Sequence, residues 1–181
     1  MRPAASTRVP VRPPDEAMYA LALYLYSLEQ PASPHPLDER ARRGGEIFAR
    51  EGCPDCHTPP LYTSNEVVPV DGVDAGARPG RLDVLPRRVG TDSSLALRTR
   101  KGTGYYKIPT LRGLWYRGLY EHSGSVSSLE DWFDPRRLRD DYVPTGFRGR
   151  GVARRAVPGH RFGLGLDAEE KQALIEFLRT L

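Results

Sequence analysis

The feature that most constrains this chain is a C-x-x-C-H pattern at positions 53–57, which reads Cys53-Pro54-Asp55-Cys56-His57. C-x-x-C-H is the attachment signature of a c-type haem. Two thiols three positions apart can form thioether bonds with the two vinyl groups of one porphyrin, and the histidine that follows can then bind the iron as its proximal ligand. The pattern therefore predicts one covalent haem c, with Cys53 and Cys56 as attachment points and His57 as an iron ligand.

Two other sites use a pair of cysteines at this spacing. A zinc site would need two further ligands, and Cys53 and Cys56 are the only cysteines in the chain. A redox-active dithiol gives no reason for a histidine directly after the pair. Haem is therefore the favoured interpretation. The carbonyl of Pro59, two positions after the histidine, is predicted to accept the imidazole N–H and to fix the tautomer.

Composition supports a haem that is structural as well as functional. The chain has 181 residues, enough for one domain with a short appendage. Its apolar fraction is 39%, below the typical ~45–50%, so a buried porphyrin would supply part of a thin core. The net charge of +4 would suit haem propionates, an acidic redox partner or nucleic acid, although a solvated basic surface explains it equally well. The basic stretch at 148–155 has interleaved glycine and no stacking pattern, so no nucleic-acid binding is expected.

The N-terminal part of the chain is predicted to be a separate extension over residues 1–36. An apolar run at 18–28 follows several arginines, as in a signal peptide, but Asp15 and Glu16 precede it directly and no small-residue cleavage site follows. The run is also too short to span a bilayer, which needs ~20 apolar residues. We expect a packed helix at roughly 15–29, with Met18 in its core, followed by a Pro-rich linker at 31–36 in which His35 is a surface residue.

The remaining residues, 37–181, are predicted to form a helical haem domain. Asp38 is the expected N-cap of a helix, on which Ala41, Gly44 or Gly45, and Phe48 share one face. A glycine inside a helix costs ~1 kcal/mol relative to alanine, so a close approach of another helix is expected there.

The partner helix is predicted at the far end of the chain. Asp167 and Glu170 have the spacing of a capping box, and the apolar positions that follow at helical spacing are Leu174, Phe177, Leu178 and Leu181. A third helix is indicated by Ser127 and Glu130, and it is expected to stop at Asp134-Pro135. Two long irregular stretches, 58–105 and 134–165, are expected to wrap a haem, because long loops in a compact domain usually have a function.

The middle of the chain permits a comparison with a known family. Residues 106–113 read YKIPTLRG, residues 120–126 read YEHSGSV, and Leu129-Glu130 follows. With C-x-x-C-H before them, these segments resemble the C-terminal haem domain of the di-haem cytochrome c peroxidases over about residues 38–181. The spacing from Gly44 to Phe48 also resembles the first helix of class I cytochromes c. The resemblance implies an all-α, cytochrome c-like fold with long irregular loops around one covalent haem, and residues 1–36 as the remnant of a preceding domain.

The resemblance also suggests further site residues. Lys107 and Arg112 would lie near the haem edge, where propionates need cations, and His122 would contact a propionate or the distal side. For each cation, an ordinary surface charge is the alternative. The aromatic residues that could line the porphyrin, or could equally be plain core residues, are Tyr105, Tyr106, Trp115 and Tyr116.

The sixth iron ligand is where this chain departs from the family. No methionine follows Cys53, so the methionine of the peroxidases is missing. The tail at 158–163, PGHRFG, is more similar to the rubber-oxygenase branch, whose second haem carries two histidines. His160 is therefore the predicted second iron ligand, with Met18, His122 or an open face as alternatives.

One haem motif without a visible Ser/His/Asp-type or paired-carboxylate site predicts a carrier of single electrons. The alternative is a peroxidase- or oxygenase-type domain that is active only with a missing first haem domain. The expected partner is a redox protein or that preceding domain, with no nucleic acid and no membrane span. Because c-type haems are attached outside the energy-transducing membrane, we expect a periplasmic or otherwise exported protein, and we expect the chain to be the C-terminal part of a longer one.

Overall fold

The computed structural model describes residues 13–74, 83–91, 93–98, 102–148 and 159–181. The chain divides into two compact units, Met1–Ala32 and Ser33–Leu181. Its elements, in order, are α1 (Asp15–Ser27), α2 (Glu39–Arg50), a 3₁₀ helix (Cys53–Asp55), β1 (Val67–Pro69), α3 (Ser94–Arg98), β2 (Tyr105–Lys107), α4 (Leu129–Trp132), a second 3₁₀ helix (Pro135–Leu138) and α5 (Ala168–Thr180). The regular structure is therefore mostly helical.

Helix α1 belongs to the first unit and differs from the prediction. It carries Asp15 and Glu16 in its first turn, and none of its residues is buried. Met18 is 49% exposed, so the expected packed helix with a core methionine is wrong. Apolar residues follow one another around the whole helix without a polar stripe, so the sequence does not specify one face for burial. No helix that the structure describes is long and apolar enough to cross a membrane.

Helices α2 and α5 begin where the capping residues predicted. The Asp38 carboxylate accepts a hydrogen bond from the Ala41 backbone N–H at 2.8 Å, and the Asp167 carboxylate accepts one from the Glu170 N–H at 2.8 Å. Each bond satisfies a donor that has no partner within its helix. The buried residues of the two helices are Ala41, Gly44, Ile47 and Phe48 on α2, and Ala173, Leu174, Ile175 and Leu178 on α5.

The two helices approach each other closely at Gly44. A Cβ atom placed there would overlap the carbonyl oxygen of Ala173 and would lie 2.8 Å from Cβ of Phe177. At Gly45 the nearest atoms would be ring carbons of Phe177 at 3.3 and 3.4 Å. The predicted close approach is confirmed, and position 44 is where this approach requires a glycine.

Around this crossing lies the apolar core of the second unit, whose buried members are Ile47, Phe48, Leu114, Leu129, Phe133, Leu166, Ala173, Leu174, Ile175 and Leu178. The predicted third helix contributes to it but is short. Helix α4 begins after Ser128, whose hydroxyl accepts a hydrogen bond from the Asp131 N–H at 3.1 Å, and not after Ser127. Asp134 then caps the second 3₁₀ helix by accepting the Arg136 N–H at 2.8 Å.

A small sheet corrects the all-α prediction. Strands β1 and β2 pair antiparallel, with Val68 opposite Tyr106 and Pro69 opposite Tyr105. Paired β-branched and aromatic side chains favour such a ladder, but two three-residue strands are too short to be recognised from a periodic pattern. The predicted irregular stretch 58–105 thus contains β1 and α3, while part of the second stretch, 149–158, lies outside the described residues together with most of the basic stretch at 148–155.

Candidate haem site

The C-x-x-C-H segment is a tight turn directly after α2. Gly52 adopts a left-handed conformation, with φ of 71°, and ends the helix. The carbonyl of Cys53 then accepts hydrogen bonds from the backbone N–H groups of Cys56 at 3.3 Å and His57 at 2.9 Å. Both thiols are free and partly buried, and Cys53 packs against the core. One short turn therefore presents both thiols and the imidazole.

Among the described residues, the two thiols lack the further ligands that a zinc site needs. Burial raises the pKa of Cys53 to about 11. Burial also raises the pKa of Cys56, although the nearby Arg87 opposes that change. Zinc binds thiolates, and within the described ranges no group of three or more His, Cys, Asp or Glu side chains is arranged to hold a metal ion.

The imidazole of His57 is oriented by backbone carbonyls. Its Nδ1 lies 3.1 Å from the carbonyl oxygen of Pro109 and 3.3 Å from that of Tyr62. Carbonyls only accept, so Nδ1 carries the proton and Nε2 keeps a free lone pair. Desolvation lowers the pKa of His57, which keeps the ring neutral, as a metal ligand must be. The prediction that Pro59 would be the acceptor is wrong, because the chain brings Pro109 against the ring instead.

His160 is a second neutral imidazole. Its ring lies between those of Trp132, at 5.2 Å in an edge-to-face arrangement, and Phe162, at 5.4 Å. Desolvation is the main cause that lowers the pKa of His160, to about 4, and the charge of Arg137 adds to the effect. Nδ1 of His160 is buried without a hydrogen-bond partner in the described structure.

Arg87 connects the C-x-x-C-H turn with the segment that carries His160. Its Nη1 lies 2.8 Å from the Asp55 carboxylate, and its guanidinium lies 4.8 Å above the centre of the Phe162 ring. Sequence reasoning did not single out this residue, because nothing distinguishes it from the other members of a set of 27 lysines and arginines.

His122 is engaged by other protein groups. Its ring stacks on Tyr106 at 4.5 Å, its Nε2 lies 3.3 Å from the Tyr106 hydroxyl, and its Nδ1 lies 3.6 Å from the Glu121 carboxylate. With both nitrogens facing protein partners, His122 is poorly placed to bind iron. Its contact with a propionate or the distal side stays a prediction.

The other predicted haem-edge residues are spread over several environments. Lys107 is exposed at the end of β2, whereas Arg112 is partly buried. Tyr105 is buried and donates to the Asp74 carbonyl at 3.1 Å, Tyr116 is 52% exposed, and the indole nitrogen of Trp115 is buried without a hydrogen-bond partner. Their proximity to a haem stays a prediction.

Taken together, these residues fit a haem c. Two free thiols stand next to an imidazole whose tautomer is fixed. A second neutral imidazole has a buried Nδ1 for which the described residues provide no hydrogen-bond partner, and such an atom in a native structure calls for an explanation such as a water molecule or a metal ion.

Comparison with curated proteins found distant relatives of the chain. Over 163 residues the chain is 29% identical to cytochrome-c peroxidase IdrP2 of Denitromonas iodatirespirans, which covers 80% of this chain and 40% of that protein. It is 28% identical over 142 residues to methylamine utilization protein MauG of Methylorubrum extorquens, covering 78% and 34% respectively. No family model and no solved structure matches the chain. The chain is therefore similar, over most of its length, to less than half of a cytochrome-c peroxidase.

Proposed function

We propose that this chain is a haem c domain that carries single electrons, with Cys53 and Cys56 as thioether attachment points and with His57 and His160 as the two iron ligands. The observation that carries the proposal is the pair of neutral imidazoles. His57 has its Nδ1–H committed to a carbonyl, and His160 has a buried Nδ1 without a hydrogen-bond partner among the described residues. A cytochrome c-like fold and descent from the C-terminal haem domain of the di-haem peroxidases belong to the same proposal, and the similarity to IdrP2 supports them.

The protein's part in this function is to hold two ligands still. A bound haem c supplies one-electron chemistry at its iron. The carbonyls of Pro109 and Tyr62 fix the rotation of the His57 ring. The rings of Trp132 and Phe162 contact the His160 imidazole and restrict its movement. Strong-field nitrogen ligands on both faces leave no open position for peroxide, which suits a carrier better than a catalyst.

Bis-histidine ligation also sets the range of the reduction potential. Methionine as an axial ligand raises the potential of a c-type cytochrome, so two histidines are expected to give a lower one. Lys107, Arg112 and His122 are proposed to meet the propionates. The proposed redox partner is another redox protein or a preceding haem domain. The proposed location is the periplasm or another compartment outside the membrane, where c-type haems are attached.

Low-temperature electron paramagnetic resonance of the ferric protein tests the ligand assignment. In His160→Ala the low-spin bis-imidazole signal should disappear and a high-spin signal should appear. His35→Ala is the matched control, because it removes an exposed histidine of the linker, and it should keep the low-spin signal. An unchanged spectrum in His160→Ala would refute the assignment.

The similarity to IdrP2 favours one second candidate, a peroxidase-type oxidoreductase in which this chain is the C-terminal haem domain. The activity would then belong to the longer protein, because the chain spans 40% of that relative. Turnover of hydrogen peroxide with an artificial electron donor separates the two candidates. Robust turnover by this chain alone would contradict the carrier proposal. An upstream reading frame with a second C-x-x-C-H and an export signal would support the second candidate.

A further inference from the structure

Arg137 is buried in a way that arginine side chains seldom are. It lies in the second 3₁₀ helix and has 0% of its surface exposed. Burial of a charged group is costly unless hydrogen bonds and other charges compensate for it. The function proposed above does not use this residue, so its burial needs a separate explanation.

Arg137 donates two hydrogen bonds to backbone carbonyls among the described residues, one of them that of His160 and the other that of Trp132, whose ring contacts His160. Its Nε–H donates to the carbonyl of Trp132 at 2.6 Å, and its Nη2–H donates to the carbonyl of His160 itself. The guanidinium also lies 4.5 Å from the centre of the Trp132 ring, the ring that contacts the His160 imidazole edge-to-face. One side chain therefore fixes His160 through its own main chain and through its aromatic neighbour.

A buried carboxyl group also lies against this segment. The Glu121 side chain is 4% exposed, and its carboxylate packs against Gly159 so tightly that a Cβ there would overlap Oε1. Burial lowers the pKa of Arg137, and the charge of Glu121 acts in the opposite direction. The Gly159–His160 segment thus contacts both the Arg137 guanidinium and the buried Glu121 carboxyl group.

We propose that Arg137 is a positioning residue that would hold His160 in place as an iron ligand, and that Arg137 and Glu121 would shift the reduction potential of a bound haem in opposite directions. The inference rests on the proposed function, because it assumes that His160 is an iron ligand. Reduction lowers the positive charge of the site by one. A nearby buried cation therefore favours the reduced state and a nearby carboxylate opposes it, and both effects are larger in a low-dielectric interior than in water.

Three variants of the holoprotein test the proposal. Arg137→Met keeps the length of the side chain but removes its donors and charge, so a high-spin signal should appear and the remaining low-spin fraction should titrate at lower potential. Arg137→Lys keeps the charge and one donor group and should restore most of the low-spin signal. Glu121→Gln should stay low-spin and titrate at higher potential. Arg136→Met is the matched control, because it removes the same charge from the next residue, whose side chain is 76% exposed, and it should match the wild type.

Spectroelectrochemical titration and electron paramagnetic resonance, with haem content checked by absorbance, give the readout. Opposite shifts of potential in Arg137→Met and Glu121→Gln, absent in Arg136→Met, support the proposal. Shifts in the same direction, or wild-type behaviour of both, overturn it. If Arg137→Met yields no holoprotein, Glu121→Gln and Arg137→Lys decide, and an unchanged or lowered potential in Glu121→Gln overturns the proposal. An unchanged spectrum of His160→Ala would refute the proposed function itself. If His160→Ala loses the low-spin signal but the Arg137 and Glu121 variants keep the spin state and potential of the wild type, only this inference is refuted.

Discussion

Replacing Gly44 by alanine tests the helix crossing on which the second unit, Ser33–Leu181, is built. The new methyl group would overlap the Ala173 carbonyl oxygen and approach Cβ of Phe177 to 2.8 Å. Both neighbours are close to the backbone and cannot rotate away, so the helices would have to separate.

The expected size of the effect follows from two opposing contributions. Alanine gains about 1 kcal/mol of helix propensity over glycine, whereas overpacking a well-packed contact costs typically about 1–3 kcal/mol. A backbone clash belongs at the upper end of that range, so the free energy of unfolding should fall by about 2 kcal/mol. For a chain of 181 residues this corresponds to a fall in Tm of about 4–8 °C.

Thermal unfolding followed by far-ultraviolet circular dichroism measures the change, with Gly45→Ala as the matched control. That methyl group would meet only the Phe177 ring, at 3.3 and 3.4 Å, and a ring can move slightly. The control should therefore change stability by no more than about 1 kcal/mol in either direction. A Gly44→Ala protein as stable as the wild type, or a control that is destabilised equally, would refute the reasoning.

Three further predictions concern the thiols, a cap and an ion pair. The double variant Cys53→Ala/Cys56→Ala should lack covalent haem and should melt without cooperativity by circular dichroism, because the chain is only 39% apolar; native-like melting would contradict this. Asp167→Ala removes the acceptor of the Glu170 N–H and should lower the free energy of unfolding by about 1 kcal/mol, whereas Asp167→Asn should retain most of it. The hydrogen bond from Arg136 lowers the pKa of Asp134 below 3.8, so this pair stabilises the folded protein above that pH and the contribution is lost as the pH falls through the lower folded value. Denaturant unfolding should accordingly show Arg136→Gln less stable than the wild type at neutral pH and equal to it in strong acid.

Sequence patterns predicted the structural features that are determined by residues close together in the chain. The C-x-x-C-H turn and the Asp38 and Asp167 caps are each encoded within a few positions of the sequence, whereas the contact that selects Gly44 over Gly45 is made by Ala173 on a distant helix. The turn and the caps rest on hydrogen bonds that the local chain direction already determines, so spacing alone indicates them.

The predictions that were wrong or missing concern contacts between segments that are distant in the sequence. Pro109 accepts the His57 N–H from 52 positions away, and Arg87 joins Asp55 to Phe162. No local rule selects one proline or one arginine out of many for such a contact. The sheet was missed because its two strands are short and far apart in the chain.

The crossing of α2 and α5 also determines how the haem domain can come apart. It joins Gly44 to Ala173, so it closes a loop of roughly 130 residues, and closing a flexible loop of that length costs about 4 kcal/mol in chain entropy beyond a constant term. The C-x-x-C-H turn, both strands and His160 all lie inside this loop. Separation of the two helices would release all of them at once. Amide hydrogens in α2 and α5 should therefore exchange with solvent only through the opening that unfolds the whole domain, and the haem site should be lost in that single step rather than by gradual loosening of its loops.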